Sequence, residues 1–194
     1  LFVGQMDWKK NILRILEAAA KLKTHRADFR LVLAGQGSDM DAIKNKADDL
    51  GLKEQTVITG HIGSTKELDA LYKAASLFVF PSLYDTFSLV VREAAAMGTP
   101  SVVVRGSCAG ESIQDGFNGF LCDDDADDLC RVIRLALDNP EATHLIGEKA
   151  RETIPVTWEE VMADVVARYQ ELIAAHRPRK RTAAAKRRLE NRRK

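Results

Sequence analysis

The sequence predicts an α/β fold: a doubly wound parallel sheet of about six strands, helices on both faces, and extra helices at its C-terminal end. Two observations carry that expectation. Short apolar, β-rich runs alternate with segments of helical periodicity through residues 1–122, and three further helical segments follow with no strand between them. With 194 residues and 45% hydrophobic content the chain buries a substantial core as one domain, which excludes disorder and fibre.

The elements follow in order. Residues 1–4 read as a strand, 11–24 as a helix, 29–35 as a strand and 39–50 as a helix. The series continues with a strand over 56–60, a helix over 66–75, a strand over 77–81, a helix over 89–97, and strands over 101–105 and 119–122. Ile12, Ile15, Leu16 and Ala19 share one face of the first helix, and Ser64 followed by Glu67 has the form of a capping box for the helix bearing Leu68, Leu71 and Tyr72. Helices over 126–137 and 141–152 come next, and a last one begins at Thr157 with Glu160 as a second capping-box acid. This last helix repeats apolar residues at Trp158, Val161, Met162, Val165, Val166, Tyr169, Leu172 and Ile173, a stripe expected to lie against a partner.

Charge divides the chain in two. Residues 177–194 hold ten Lys/Arg and one acid, a charge of +9, whereas residues 1–176 hold 19 bases against 27 acids, a charge of −8. The folded domain is therefore expected to span 1–176, with 177–194 a basic, flexible tail. No run of eighteen apolar residues and no signal-peptide pattern is present. Cys108, Cys122 and Cys130 lack metal-ligand spacing, which suits a reducing cytoplasmic setting. The chain opens on Leu1-Phe2-Val3-Gly4 without a methionine, as a strand already under way, and reads as a fragment.

In an open parallel sheet ligands bind beyond the carboxyl ends of the strands, so the loops there carry the functional reading. After the first strand comes Gly4-Gln5-Met6-Asp7-Trp8-Lys9-Lys10-Asn11, whose lysines meet either a phosphate or solvent; a cation at a helix N-terminus opposes the dipole, which favours a bound anion. After the second comes Gly35-Gln36-Gly37-Ser38, either a close approach of backbone to ligand or a turn with a serine cap. After the fourth comes Phe80-Pro81-Ser82-Leu83-Tyr84-Asp85-Thr86-Phe87-Ser88-Leu89-Val90-Val91-Arg92-Glu93-Ala94. The N–H groups near Ser88, Leu89 and Val90 suit phosphate oxygens, and Asp85 and Glu93 bracket them with acceptors for sugar and ribose hydroxyls. The plainer alternatives are a turn residue at Asp85 and a capping acid at Glu93.

With these loops in order, residues 1–176 resemble the nucleotide-binding C-terminal domain of glycosyltransferase family 4, one half of the GT-B fold of retaining sugar transferases. Asp85-x7-Glu93, within PSLYDTFSLVVREAAAMGTPSVV, matches the family's Glu-x7-Glu motif, and VGQMDWKKN, LVLAGQG, VITGHI and DGFNGFL support it. The resemblance implies a Rossmann-like domain that binds a UDP- or GDP-sugar as donor substrate, with no tightly bound cofactor and no metal requirement. It implies Lys10 on the donor diphosphate, Glu93 on the ribose, Asp85 on the sugar, backbone at Ser88, Leu89 and Val90 on the phosphates, Gly35 and Gly37 beside the donor, and His61 and Ile62 at the nucleobase. Lys10, Asp85 and Glu93 are the expected catalytic group. His61 has a structural or solvated alternative.

Two departures stand out. Gln5 replaces an arginine that many members use on the diphosphate, and an amide supplies no charge. Asp85-Thr86-Phe87-Ser88 replaces the commoner Glu-Gly-Phe-Gly, shortening a carboxylate and removing two glycines.

The resemblance implies transfer of a hexose to a glycan or lipid acceptor, with cationic groups and helix N–H donors stabilising charge on the departing diphosphate. The acceptor-binding N-terminal GT-B domain is the expected partner. A GT-B nucleotide-sugar epimerase and a non-catalytic nucleotide-binding or interaction module are the alternatives. Asp123-Asp124-Asp125 reads as a helix cap before a metal site, and Cys108 as a small buried residue before a reactive thiol. The tail suits an anionic membrane surface, which would place the protein at the inner face of the membrane. It lacks aromatic residues for nucleic acid, and a simple solvated tail is the plainest reading.

Overall fold

The structure is a computed structural model describing residues 1–176. The basic tail, and every expectation placed on it, lies outside the described residues.

Six parallel strands form, β1 (Phe2–Val3), β2 (Leu31–Ala34), β3 (Thr56–Gly60), β4 (Phe78–Phe80), β5 (Ser101–Val104) and β6 (Phe120–Cys122). They make two three-stranded ladders, β1-β2-β3 and β4-β5-β6, and not one continuous ladder. The ladders meet edge to edge: the Leu1 nitrogen donates to Leu77 O at 2.9 Å and Val79 N–H to Leu1 O at 2.8 Å. The strands thus lie in the order β3-β2-β1-β4-β5-β6. The sequential order of the strands turns back between β1 and β4, the position beyond whose carboxyl ends open parallel sheets hold their ligands.

The strand sequences explain their place. Val102, Val103 and Val104 of β5 and all three residues of β4 are buried, the continuous apolar run required of a parallel strand covered on both faces. The outer strand β3 instead alternates half-buried and exposed residues. An aromatic row crosses the junction of the ladders, with Phe2 stacked on Phe80 at 6.0 Å, Phe80 on Phe78 at 5.8 Å, and Tyr72 edge-on to Phe78 at 5.5 Å.

Six helices complete the unit: α1 (Ile12–Lys23), α2 (Met40–Asp49), α3 (Thr65–Ala74), α4 (Leu89–Ala96), α5 (Ala126–Asp138) and α6 (Pro140–Thr153). The expected face of α1 is buried at Ile12, Ile15, Leu16 and Ala19 and packs on α5. Asp125 caps α5 by accepting from the N–H groups of Asp127 and Asp128, so this member of the aspartate run serves the helix start. Ser64 accepts from Glu67 N–H at the start of α3. Ser38 caps nothing; Asp39 stands at the N-cap of α2, and its carboxylate accepts the Trp8 N–H at 3.0 Å.

Two 3-10 turns, Trp8–Lys10 and Cys108–Ser112, were not expected, since neither is long enough to show a periodicity. Cys108 is exposed in the second turn, which corrects its reading as a buried residue, while Cys122 and Cys130 are buried. Burial pushes the Cys122 thiol up to about 12.

The compact unit is Leu1–Pro155, and the described residues that follow, 156–176, belong to a second unit. In the latter, α7 (Trp158–Ala175) begins with the complete Thr157–Glu160 capping box. Its apolar stripe, expected to lie against a partner, contains no buried residue: Trp158, Met162, Val165, Val166, Tyr169, Leu172 and Ile173 are all exposed. No described helix is long and apolar enough to cross a membrane.

Candidate functional site

The loops after β1 and β2 are sewn together by their backbones. Gly4 N–H donates to Ala34 O at 3.0 Å, Met6 N–H to Gln36 O at 3.2 Å, Asp39 N–H to Met6 O at 3.0 Å, and Gly35 N–H to Gly60 O at 2.8 Å. That closeness accounts for the glycine pair. A Cβ on Gly35 would stand 1.8 Å from Gly4 O, and one on Gly37 2.5 Å from Met6 O. Loop-on-loop packing therefore requires glycine at both positions.

Gly35→Ala should therefore cost about 2–4 kcal/mol through backbone overpacking, a loss readable in chemical denaturation with the slope unchanged. An unchanged midpoint would refute the packing account.

Over these loops lies a cavity of about 380 Å³ lined by Val3, Gly4, Gln5, Ala34, Gly35, Gln36, His61, Ile62, Leu68, Val90 and Glu93. Six of the expected donor residues thus converge: Gln5 from the end of β1, Gly35 from that of β2, His61 and Ile62 from that of β3, and Val90 and Glu93 from α4. A larger cavity of about 750 Å³ holds none of them; Leu31, Leu77 and Pro100, at or just before the amino ends of β2, β4 and β5, line it. The smaller cavity is the candidate site because it lies at the switch point.

Lys10, Gly37, Asp85, Ser88 and Leu89 do not line the cavity. Lys10 closes the 3-10 turn after β1, and its Nζ lies 2.9 and 3.0 Å from the two Asp85 carboxylate oxygens. Both side chains are largely shielded, at 24% and 20% exposure. The cation set against a helix start has thus found its anion inside the protein. Asn11, in the left-handed conformation at φ 60°, sends its amide to Pro81 O at 3.2 Å and to Asp124 at 2.9 Å, which ties the β1 loop to the β4 loop that carries Asp85.

At the start of α4, Ser88 is held at φ 50° and ψ 55°, a region where glycine sits without strain and serine does not. Its hydroxyl makes no capping bond, and its buried Oγ has no hydrogen-bond partner among the described residues. The first-turn N–H groups of α4 therefore lack a side-chain cap and retain their positive end for an incoming anion. Leu89 is 62% exposed. Glu93, one turn on, is exposed, and its Oε2 accepts the Tyr72 hydroxyl at 3.0 Å, so it is not a capping acid. The Tyr72 hydroxyl was not foreseen as part of the site, because its ring reads as core.

A doubly wound sheet with its cavity at the switch point defines a domain that holds its ligand between two groups of strand-end loops. The chain belongs to the family "Glycosyl transferases group 1", whose model matches residues 1–153. It is 32% identical to glycogen synthase of Mycobacterium tuberculosis over 164 residues, covering 83% of this chain and 39% of that protein. A GDP-mannose-dependent α-mannosyltransferase of Corynebacterium glutamicum is 27% identical, covering 89% of this chain and 40% of that one. The fold superposes on Anabaena HepE, solved with UDP-glucose, with a TM-score of 0.74 at 21% identity, covering 86% of this chain and 47% of that one. The chain thus spans under half the length of each of these proteins.

Proposed function

We propose that this chain is the donor-binding, C-terminal half of a retaining GT-B glycosyltransferase of family 4. Its donor is a UDP- or GDP-hexose and its acceptor a glycan or lipid held by a second, N-terminal domain. The observation that carries this reading is the convergence of Gln5, Gly35, His61, Ile62, Val90 and Glu93 on one switch-point cavity, from segments far apart in sequence. The family match and the donors named for its relatives, GDP-mannose and UDP-glucose, supply the ligand class.

In this reading the nucleobase lies against His61 and Ile62, and Glu93 accepts from the ribose hydroxyls. The diphosphate meets the uncapped start of α4 and the Lys10 ammonium. As the bond from the sugar to the diphosphate breaks, negative charge grows on the leaving phosphate, and fixed N–H dipoles and the lysine stabilise it. Gln5 contributes a neutral hydrogen bond where an arginine would contribute charge, so Lys10 carries the larger share. Asp85 leaves Lys10 to accept from the hydroxyls of the sugar.

Calorimetric titration of the chain with UDP, GDP, UDP-glucose and GDP-mannose tests this directly. At least one is expected to bind with a Kd below about 1 mM, and silence from all four would sink the reading.

A further inference from the structure

We propose that Tyr72 is a positioning residue for nucleotide recognition: its hydroxyl holds one carboxylate oxygen of Glu93 and leaves the other to accept from the ribose of a nucleoside diphosphate. The inference rests on the assignment of Glu93 to the ribose.

The geometry is specific. Tyr72 is fully buried on α3, edge-on to Phe78, with its own carbonyl accepting the Thr99 hydroxyl at 2.6 Å. Ring and backbone are therefore both locked, and the phenol emerges from the core at a single point, 3.0 Å from Glu93 Oε2. Burial above all, and then the charge of Glu93, pushes the phenol well above its ordinary range, so the hydroxyl keeps its proton and donates to Glu93 Oε2.

Glu93 by contrast is exposed, on a helix, at the wall of the cavity. A glutamate in that position ordinarily samples many rotamers, and a ligand that needs one of them bears the cost of ordering it. A donor anchored in the core removes that cost before the ligand arrives, which is preorganisation. With Oε2 held by the phenol, Oε1 is left to accept, and two neighbouring hydroxyls on one ring are the donors that suit it.

The test compares each ribonucleotide, UDP and GDP, with its 2′,3′-dideoxy counterpart by calorimetry on the whole chain. The unaltered chain is expected to prefer the ribonucleotide by about tenfold. Tyr72→Phe keeps the ring and is expected to bring that preference to about threefold or less, leaving the affinity for the dideoxynucleotide unchanged. Adding Tyr72→Phe to Glu93→Ala is expected to change nothing further.

A parallel fall in both affinities would make Tyr72 merely structural and overturn the proposal, as would an unchanged preference. Should Tyr72→Phe not fold, the unaltered chain decides by NMR. The Tyr72 hydroxyl proton is expected to shift on saturation with the ribonucleotide and stay in place with the dideoxynucleotide; equal shifts overturn the role. Failure of the unaltered chain to bind any nucleotide overturns the donor reading itself, whereas binding without ribose discrimination overturns only this inference.

Discussion

Lys10→Ala is expected to lower sugar transfer by the whole enzyme about 10²–10³-fold in kcat/KM for the donor, the range found when one preorganised donor to a developing anion is removed. Two effects add. The mutant loses the only side-chain cation that, among the described residues, directly contacts the Asp85/Glu93 pair, at 2.9 Å from Asp85. It also strands Asp85, which is largely shielded from water, as an uncompensated negative charge in the path of a diphosphate. The second effect makes a specific demand: Lys10→Ala with Asp85→Asn should bind UDP or GDP more tightly than Lys10→Ala alone, because the stranded charge has gone. Lys10→Arg keeps the charge in a bulkier, planar form and should retain more activity than alanine. Steady-state kinetics with a fixed acceptor and varied donor check that activity falls from the unaltered enzyme to Lys10→Arg and further to Lys10→Ala. Transfer by the alanine variant within about twofold of the unaltered enzyme would exclude the role.

How much of this was legible in the sequence depends on how far apart the interacting residues lie. The strands and helices could be read because their signals are local. Val102, Val103 and Val104 announce a strand covered on both faces, and Ile12, Ile15, Leu16 and Ala19 announce one helix face. The order of loops along the chain, placed at the carboxyl ends of strands, also anticipated which residues line one cavity together, among them Gln5, Gly35, His61, Ile62, Val90 and Glu93. The pairings inside it were not legible. Lys10 and Asp85 are 75 positions apart and Tyr72 and Glu93 are 21 apart, and no periodicity links them. Tyr72 looks like core because its ring is core; only coordinates show that its hydroxyl leaves the core at Glu93. Gly35 and Gly37 were recognisable as positions that need glycine, but the backbone that demands it, Gly4 and Met6, belongs to another loop. The stripe on α7 shows the opposite limit: the amphipathic pattern is real, yet none of its residues is buried, and pattern alone does not say what covers them.

Asp85→Asn should separate binding from transfer, with opposite signs. In this structure the Lys10 ammonium spends its charge on both oxygens of Asp85, so a diphosphate must take the lysine from a carboxylate already holding it. A partly shielded pair of this kind is worth about 1 kcal/mol after screening and side-chain entropy. Removing the carboxylate's charge releases Lys10 and also removes a repulsion, so UDP or GDP should bind about threefold to tenfold more tightly. Transfer should move the other way, falling about 10²-fold, because an amide accepts more weakly than a carboxylate from the hydroxyls that orient the sugar. Asp85→Glu restores the charge and lengthens the reach to that of the Glu-x7-Glu motif; it should return nucleotide affinity to the unaltered value and recover much of the transfer. The measurements are calorimetry with the nucleoside diphosphate and kinetics with the nucleotide sugar. A drop in both quantities would mean that Asp85 serves mainly to hold Lys10 in place, whereas a rise in affinity beside a fall in transfer is what a carboxylate shared between the lysine and the sugar must produce.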